Sequence, residues 1–495
     1  MGCMKLITAE RTLPLFDVAG IRHIETTAAA ALPSHTLMQR AGLSVARLAM
    51  ALAPHARTIW IACGPGNNGG DGLEAAAQLQ ARGFRPVVTW LGDAGRAPPD
   101  TLRSLQNARA AGVRFDELPP ETFDLAIDAL LGIGASRPPA GQMAAWLARM
   151  DEGPAPVLCV DLPSGLDADT GRWTGSFTGS GTAVGRAPRH CLTLLALKPG
   201  LFTADGRDLA GNVWLDDLAL RHSQAPTAWL SGRPAAQARA HGSHKGSYGD
   251  VIVVAGASGM AGAALLAGSA ALHGGAGRVF IAPLDPAAAM LDVGLPELMF
   301  RTPDALTFDG KTVVCGCGGG ESVRAVLPRV LSTASSLVLD ADALNGVAAD
   351  TALQQLLAQR GARGRDTVLT PHPLEAARLL GCNTAHVQAD RLGVAQTLAD
   401  RFCAVVVLKG SGSVIAAPGR IPNVNPTGDA KLATAGTGDV LAGMIGAALA
   451  AGRPAFEATY ATVWQHGAIA QAWPAGLPLV ASALAAACRN PAPRD

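Results

Sequence analysis

The sequence predicts an α/β protein of two domains, each built on a largely parallel sheet with helices on both faces. Three observations point there. The chain has 495 residues, too many for one ordinary domain and suited to two of roughly 200–250. In both halves short β-rich runs alternate with Ala- and Leu-rich helical stretches, the pattern of βαβ units. Between the halves lies a polar, proline-bearing stretch with little periodicity.

Taken in order, strands are expected at 58–62, 86–91, 124–128, 157–161 and 192–197, with helical stretches such as Leu73–Arg82 and Thr101–Ala111 between them. Residues 221–240 read as a linker, dividing a first domain over 1–220 from a second over 241–495. The second half restarts with strands near 251–255, 278–282, 312–315, 337–339, 367–369 and 404–408, and a final helix is expected from Asp439 through Leu449.

Composition narrows the function classes. Apolar residues make up 49% of the chain, ample for two cores, and 40 basic against 39 acidic residues leave a net charge of +1. That balance supplies no electrostatic footprint for nucleic acid or an anionic membrane. The uncharged stretch Val251–Gly277 is broken by seven glycines and reads as strand, loop and helix rather than a membrane span. Nine scattered cysteines without a Cys-x-x-Cys pair form neither a zinc framework nor a disulfide scaffold and suit a reducing cytosol. The N-terminus lacks the basic-then-apolar pattern of a signal peptide, so a cytoplasmic protein is expected. Only six of the basic residues are lysines, which marks any lysine in a loop.

The first chemistry-bearing stretch is Cys63-Gly-Pro-Gly-Asn-Asn-Gly-Gly-Asp-Gly72, directly after an apolar strand. Ligands of open parallel sheets bind at the carboxyl edge of the strands. Glycines let the backbone approach a ligand, and a following helix offers free N–H groups to a pyrophosphate. Two further strand ends share this edge: Asp128-Ala-Leu-Leu-Gly-Ile-Gly-Ala-Ser-Arg-Pro138 and Asp161-Leu-Pro-Ser-Gly-Leu-Asp167. Carboxylate, amide and carbonyl oxygens converging there suit a hard cation; the alternative is that both aspartates cap the turns that follow.

With Leu37-Met38-Gln39-Arg40-Ala41-Gly42, these pieces make residues 1–220 resemble the NAD(P)H-hydrate epimerase domain, also called the YjeF N-terminal domain, with a Rossmann-like α/β/α sandwich. The resemblance implies that Asn67, Asn68, Gly69, Gly70 and Asp71, together with Gly132, Ile133, Gly134, Ala135, Ser136, Arg137 and Pro138, hold the hydrated dinucleotide. It also implies a potassium ion on Asn68, Asp128 and Ser164, with Asp161 facing the reacting nicotinamide as the catalytic residue. Gly185–His190 departs from the usual pattern but carries none of these roles.

The second stretch, Thr434-Ala-Gly-Thr-Gly-Asp439, opens onto an apolar helix. Successive amides at a helix N-terminus can hold a transferring phosphoryl group, while Asp439 accepts a proton from an attacking hydroxyl. Asp439 merely complementing the helix dipole is the alternative, and it leaves the glycines unexplained. Lys409-Gly-Ser-Gly-Ser413 follows a buried strand and is not a Walker A loop. Thr370-Pro-His-Pro-Leu-Glu375 presents His372 stiffly between prolines, as a ligand contact or as structure. Asp340 and Asp342 could equally cap the next helix.

Together with His244-Lys-Gly-Ser-Tyr-Gly249, Pro296–Met299 and Asp340–Asn345, these motifs make residues 241–495 resemble the ribokinase-like NAD(P)H-hydrate dehydratase domain. By motif, Ala263, Gly318, His372 and Asp439 would contact the hydrate, and Lys409, Gly410, Ser411, Gly412, Ser413 and Gly438 the nucleotide, taken as ADP with magnesium. Cys317 stands where proline is usual. The two domains together imply a repair enzyme that epimerises R and S NADHX and NADPHX at C6. It would then dehydrate the S form at the expense of ADP, releasing AMP and phosphate, as a homo-oligomer. Two alternatives stand beside this: a ribokinase-like kinase for a small vitamin precursor whose first domain only binds nucleotide, and a non-catalytic nucleotide sensor or scaffold.

Overall fold

The computed structural model describes residues 4–134, 137–174, 187–236 and 239–488. The chain forms two compact units, one of residues up to Thr8 with Leu13–Ala228, the other of Ala9–Thr12 with Trp229 onward.

In the first unit the strands lie side by side in the order Lys5–Leu6, Asn212–Asp216, Arg189–Leu194, Val157–Val160, Leu125–Ala129, Ile59–Cys63, Pro86–Trp90, Arg114–Phe115. All neighbours are parallel except the first pair. Chain order reverses between Ile59–Cys63 and Leu125–Ala129. At such a switch point the two following connections leave toward opposite faces and a crevice opens. Ala62 stands opposite Asp128, and Asp128 opposite Cys159, so the strand ends are level. Two helices that the sequence pattern does not mark, Val18–Ala31 and Thr36–Leu52, precede the central strand. The strand expected at 192–197 is Arg189–Leu194, because Leu195 takes a left-handed conformation (φ 67°) and ends it, and Asn212–Asp216 follows as a further strand.

The second unit's sheet runs Met299–Phe300, Arg278–Pro283, Asp250–Ala255, Thr312–Cys315, Ser336–Leu339, Thr367–Leu369, Val405–Leu408, Val414–Ala416, Asn423–Val424, Ala228–Leu230. It is parallel as far as Val405–Leu408, antiparallel across the next two pairs and parallel again at Ala228–Leu230, so the sheet is mixed. Ile252 and Val254 enter one core and Val251, Val253 and Ala255 the other, which is why these strands read as continuous apolar runs. Ala228–Leu230 lies inside the stretch expected as linker and pairs with Asn423–Val424. The helix expected at Asp439–Leu449 spans Thr437–Ala450 and is not the last: Ala455–Gln471 and Ala481–Ala486 follow. Ala455–Gln471 is buried on most sides, so it lacks the single apolar stripe that marks a surface helix. Among the described residues no helix is long and apolar enough to cross a membrane.

Candidate active sites

At the first unit's switch point lies a cavity of about 480 Å³. Its lining includes Asn67, Asn68, Asp71, Gly132, Ile133, Gly134 and Asp161, seven of the residues expected to hold the dinucleotide. The glycine-rich stretch is mostly not a loop. Only Gly64–Gly66 connect strand to helix, and Asn67 through Asp71 form the first turns of the helix Asn67–Gln80. Its glycines are also needed for packing. A Cβ on Gly69 would strike the Gly64 carbonyl, one on Gly70 would lie 2.7 Å from Met38 Cε, and one on Gly72 2.6 Å from Ala129 Cβ. Close packing of the helix on its neighbours demands them, and Gly69 and Gly70 are not among the cavity's lining. Arg137 and Pro138 are exposed and away from that lining. Ala135 and Ser136 lie outside the described residues, as do Gly185 and Arg186.

Asp128, next to last in its strand rather than last, is fully buried. Its carboxylate accepts hydrogen bonds from Ser164 N (2.9 Å), Ser164 Oγ (2.6 Å) and Leu130 N (3.3 Å). Ser164 Oγ in turn accepts from Leu131 N at 2.8 Å. Asp128 and Ser164 thus tie the loops after two strands together, beneath the cavity. Burial pushes the Asp128 carboxyl up, against these hydrogen bonds and Arg189. Asn68 is buried beside Gly132, and its Nδ2 has no partner.

Asp161 follows its strand with φ 66°. That conformation is costly for a non-glycine residue and marks functional sites. It directs the carboxylate back to Leu194 N (3.1 Å) and to the ammonium of Lys198. Lys198 is completely buried and also donates to Thr193 Oγ1 (2.8 Å) and Leu194 O (3.0 Å). Motif reading missed this residue, although its being one of six lysines was a signal. It also missed Glu25 and Arg22, which line the cavity from the helix Val18–Ala31.

In the second unit Asp439 sits in the first turn of Thr437–Ala450. One side-chain atom each of Cys317, Asp340 and Asp439 lies within 4.8 Å of the others. Asp340 does not cap its helix; it accepts from Lys409 Nζ (2.7 Å) and Thr370 Oγ1 (2.7 Å). Asp342 accepts from Gly320 N at 2.8 Å. A Cβ on Gly438 would lie 3.4 Å from Lys409 Nζ, so Gly438, Lys409, Asp340 and Asp439 meet at one point. Burial, then the Asp340 charge, pushes Asp439 up to about 6, a value suited to a base working near neutrality. The Cys317–Asp340–Asp439 set could hold a divalent ion, but Lys409 already brings a positive charge to Asp340.

His372 is an N-cap: Nδ1 accepts from Leu374 N (3.1 Å) and Glu375 N (3.3 Å), and Glu375 returns a bond to His372 N (2.8 Å). Burial, then the Lys409 charge, lower its pKa. Glu375, unmarked in the sequence reading, is pushed to about 7 by burial. Gly318 (φ 53°) packs on Ala263, whose Cβ a Gly318 side chain would meet at 2.9 Å. The Lys409–Ser413 loop needs Gly410 at φ 143° and Gly412 at φ 63°. Arg391, also missed, braces it by donating to the carbonyls of Leu408 (3.1 Å) and Lys409 (3.3 Å). Ser411 is exposed, and Ser413 Oγ donates to Gly410 O at 3.1 Å.

Comparison with known proteins shows to which family the two domains belong. The family profile described as YjeF-related protein N-terminus matches residues 34–200, and that of NAD(P)H-hydrate dehydratase matches 251–488. A bifunctional NAD(P)H-hydrate repair enzyme of Escherichia coli is 36% identical over 88% of this chain and 84% of its own. An ADP-dependent (S)-NAD(P)H-hydrate dehydratase of Neisseria meningitidis is 43% identical over 47% of this chain and 80% of its own. The solved ADP/ATP-dependent NAD(P)H-hydrate dehydratase of Bacillus subtilis aligns with 51% of this chain and 91% of its own, at 33% identity and a TM-score of 0.43. With both domains in one chain and full-length similarity of this extent, the chain belongs to the family of bifunctional NAD(P)H-hydrate repair enzymes.

Proposed function

We propose that the first domain interconverts R and S NAD(P)HX at C6 and that the second converts the S form to NAD(P)H, using ADP and releasing AMP and phosphate. The observation that carries this is the half-buried Asp439 carboxylate, placed in the first turn of a glycine-opened helix beside the Lys409–Asp340 pair. Asp439 takes the proton of the C6 hydroxyl as that oxygen attacks the terminal phosphoryl group of ADP. Amides of the Gly436–Gly438 turn and Lys409 face the negative charge that develops. Phosphate then departs from C6 as a far better leaving group than hydroxide, a proton leaves C5, and the reduced nicotinamide is restored. Magnesium accompanies the nucleotide phosphates.

The residues expected to hold potassium suit a monovalent cation. Asp128 is a fully buried carboxylate whose hydrogen-bond partners are all neutral, so a cation would relieve the cost of its charge. Asn68, Asp128 and Ser164 would hold it and pin the loops around the hydrate. Eight cysteines of the described residues are free thiols, in keeping with a cytoplasmic protein.

The test is to incubate purified protein with mixed R and S hydrate, with and without ADP. With ADP, all of the hydrate should return to reduced cofactor, with one AMP and one phosphate formed per turnover. A stable phosphorylated product would instead establish a small-molecule kinase.

A further inference from the structure

The epimerase cavity holds more acid than its motif residues explain. Glu25, Asp71, Asp100 and Asp161 all line it, and Lys198 is paired with Asp161. Arg22 lines the mouth but is exposed. The remaining wall is largely apolar, including Ile21, Leu131 and Leu195. Carboxylates around an apolar cavity stabilise a cation that forms inside it.

Resting on the epimerase reading above, we propose that Glu25 is a second acid–base residue of this site, acting on C6 opposite Asp161 through a cationic intermediate. The hydrate is a hemiaminal, the nitrogen counterpart of the sugar centre that paired carboxylates open in glycosidases. Glu25 gives its proton to the C6 hydroxyl. The C–O bond breaks with its electron pair on oxygen, and water leaves. The N1 lone pair forms the N1=C6 bond of a cyclic iminium ion, which the carboxylates stabilise. A water molecule then attacks C6 from the other face, the π pair returns to N1, and Asp161 takes the proton released. One water leaves and one enters, so composition is unchanged and only the configuration inverts. The proton passes back from Asp161 to Glu25 through solvent at the mouth, and the reverse epimerisation exchanges the two roles. Burial, and next the Asp161 charge, hold the Glu25 carboxyl above the usual range. Its place on Val18–Ala31, outside every glycine motif, hid it from motif reading.

The experiment follows one pure epimer in ¹⁸O-water and weighs the inverted product, with a protein-free control. Uptake of one solvent oxygen per inversion is expected. Inverted product that keeps its original oxygen would mean opening of the N1–C6 bond and would overturn the proposal. Glu25→Gln should lower kcat for epimerisation about 10²-fold with KM little changed, at an unaltered melting temperature and with dehydration of the S form intact. Glu25→Asp should recover part of the rate. A Glu25→Gln protein within about threefold of wild type would also overturn it. A wild-type protein that does not interconvert the epimers would overturn the epimerase reading itself, and this inference with it.

Discussion

Replacing Asp439 with asparagine tests the chemistry of the second domain most directly. The carboxylate is pushed up to about 6, first by burial and then by the charge of Asp340. A base with that value is about nine-tenths ionised at pH 7 and about one-tenth at pH 5. Wild-type dehydration should therefore rise with pH through about 6 and level off above 7. An amide in the same place keeps the shape but accepts no proton, so the rate should fall about 10²-fold or more and the limb near pH 6 should vanish. Neutralising Asp340 should move the midpoint the other way from burial. The repulsion that raises Asp439 is lost, while Lys409, which lowers it, loses its partner. In Asp340→Asn the rising limb should thus shift below pH 6. The assay is recovery of reduced-cofactor absorbance from pure S hydrate with saturating ADP across pH 4.5–8.5 (about four units, spanning the titration), with epimerisation as internal control. Near-wild-type dehydration by Asp439→Asn, or a midpoint that rises in Asp340→Asn, would refute the reasoning.

Four further outcomes are expected. Asp128→Ala should sharply weaken epimerisation, abolish any rate difference between potassium and a large inert cation, and leave ADP-dependent dehydration intact; equal epimerisation by wild type with potassium excluded would remove the cation from the site. Gly72→Ala should destabilise the first domain by about 1–3 kcal/mol in chemical denaturation, because its Cβ would meet Ala129 Cβ at 2.6 Å and Cys63 Sγ at 2.9 Å. The domains should be separable: a fragment ending near 220 should epimerise without nucleotide, and one starting near 240 should consume only the S form. A second-domain fragment starting at Thr227 should melt higher than one starting at 241, since it retains Ala228–Leu230 against Asn423–Val424.

The sequence by itself determined the α/β class and where the chemistry would gather. Buried parallel strands are apolar on both faces and end in glycine-bearing turns, so Ile59–Cys63, Leu125–Ala129 and Val405–Leu408 announce both themselves and their functional edge. Asn67, Asp128, Asp161, Lys409 and Asp439 were legible for that reason. Local pattern could not separate a glycine that admits a ligand from one that admits a close neighbour, and the packing around Gly69, Gly70 and Gly72 was therefore not visible in it. Nor could it find Glu25, which sits on a helix whose polar residues look like any solvated face, or Lys198, whose burial depends on a left-handed turn at Leu195. Asp340, Lys409 and Asp439 are far apart in the chain and meet only because the order of the strands brings their edges together. The shift of Asp439 toward neutrality follows from that meeting: burial and a neighbouring charge are properties of a place in space, which tertiary structure alone supplies.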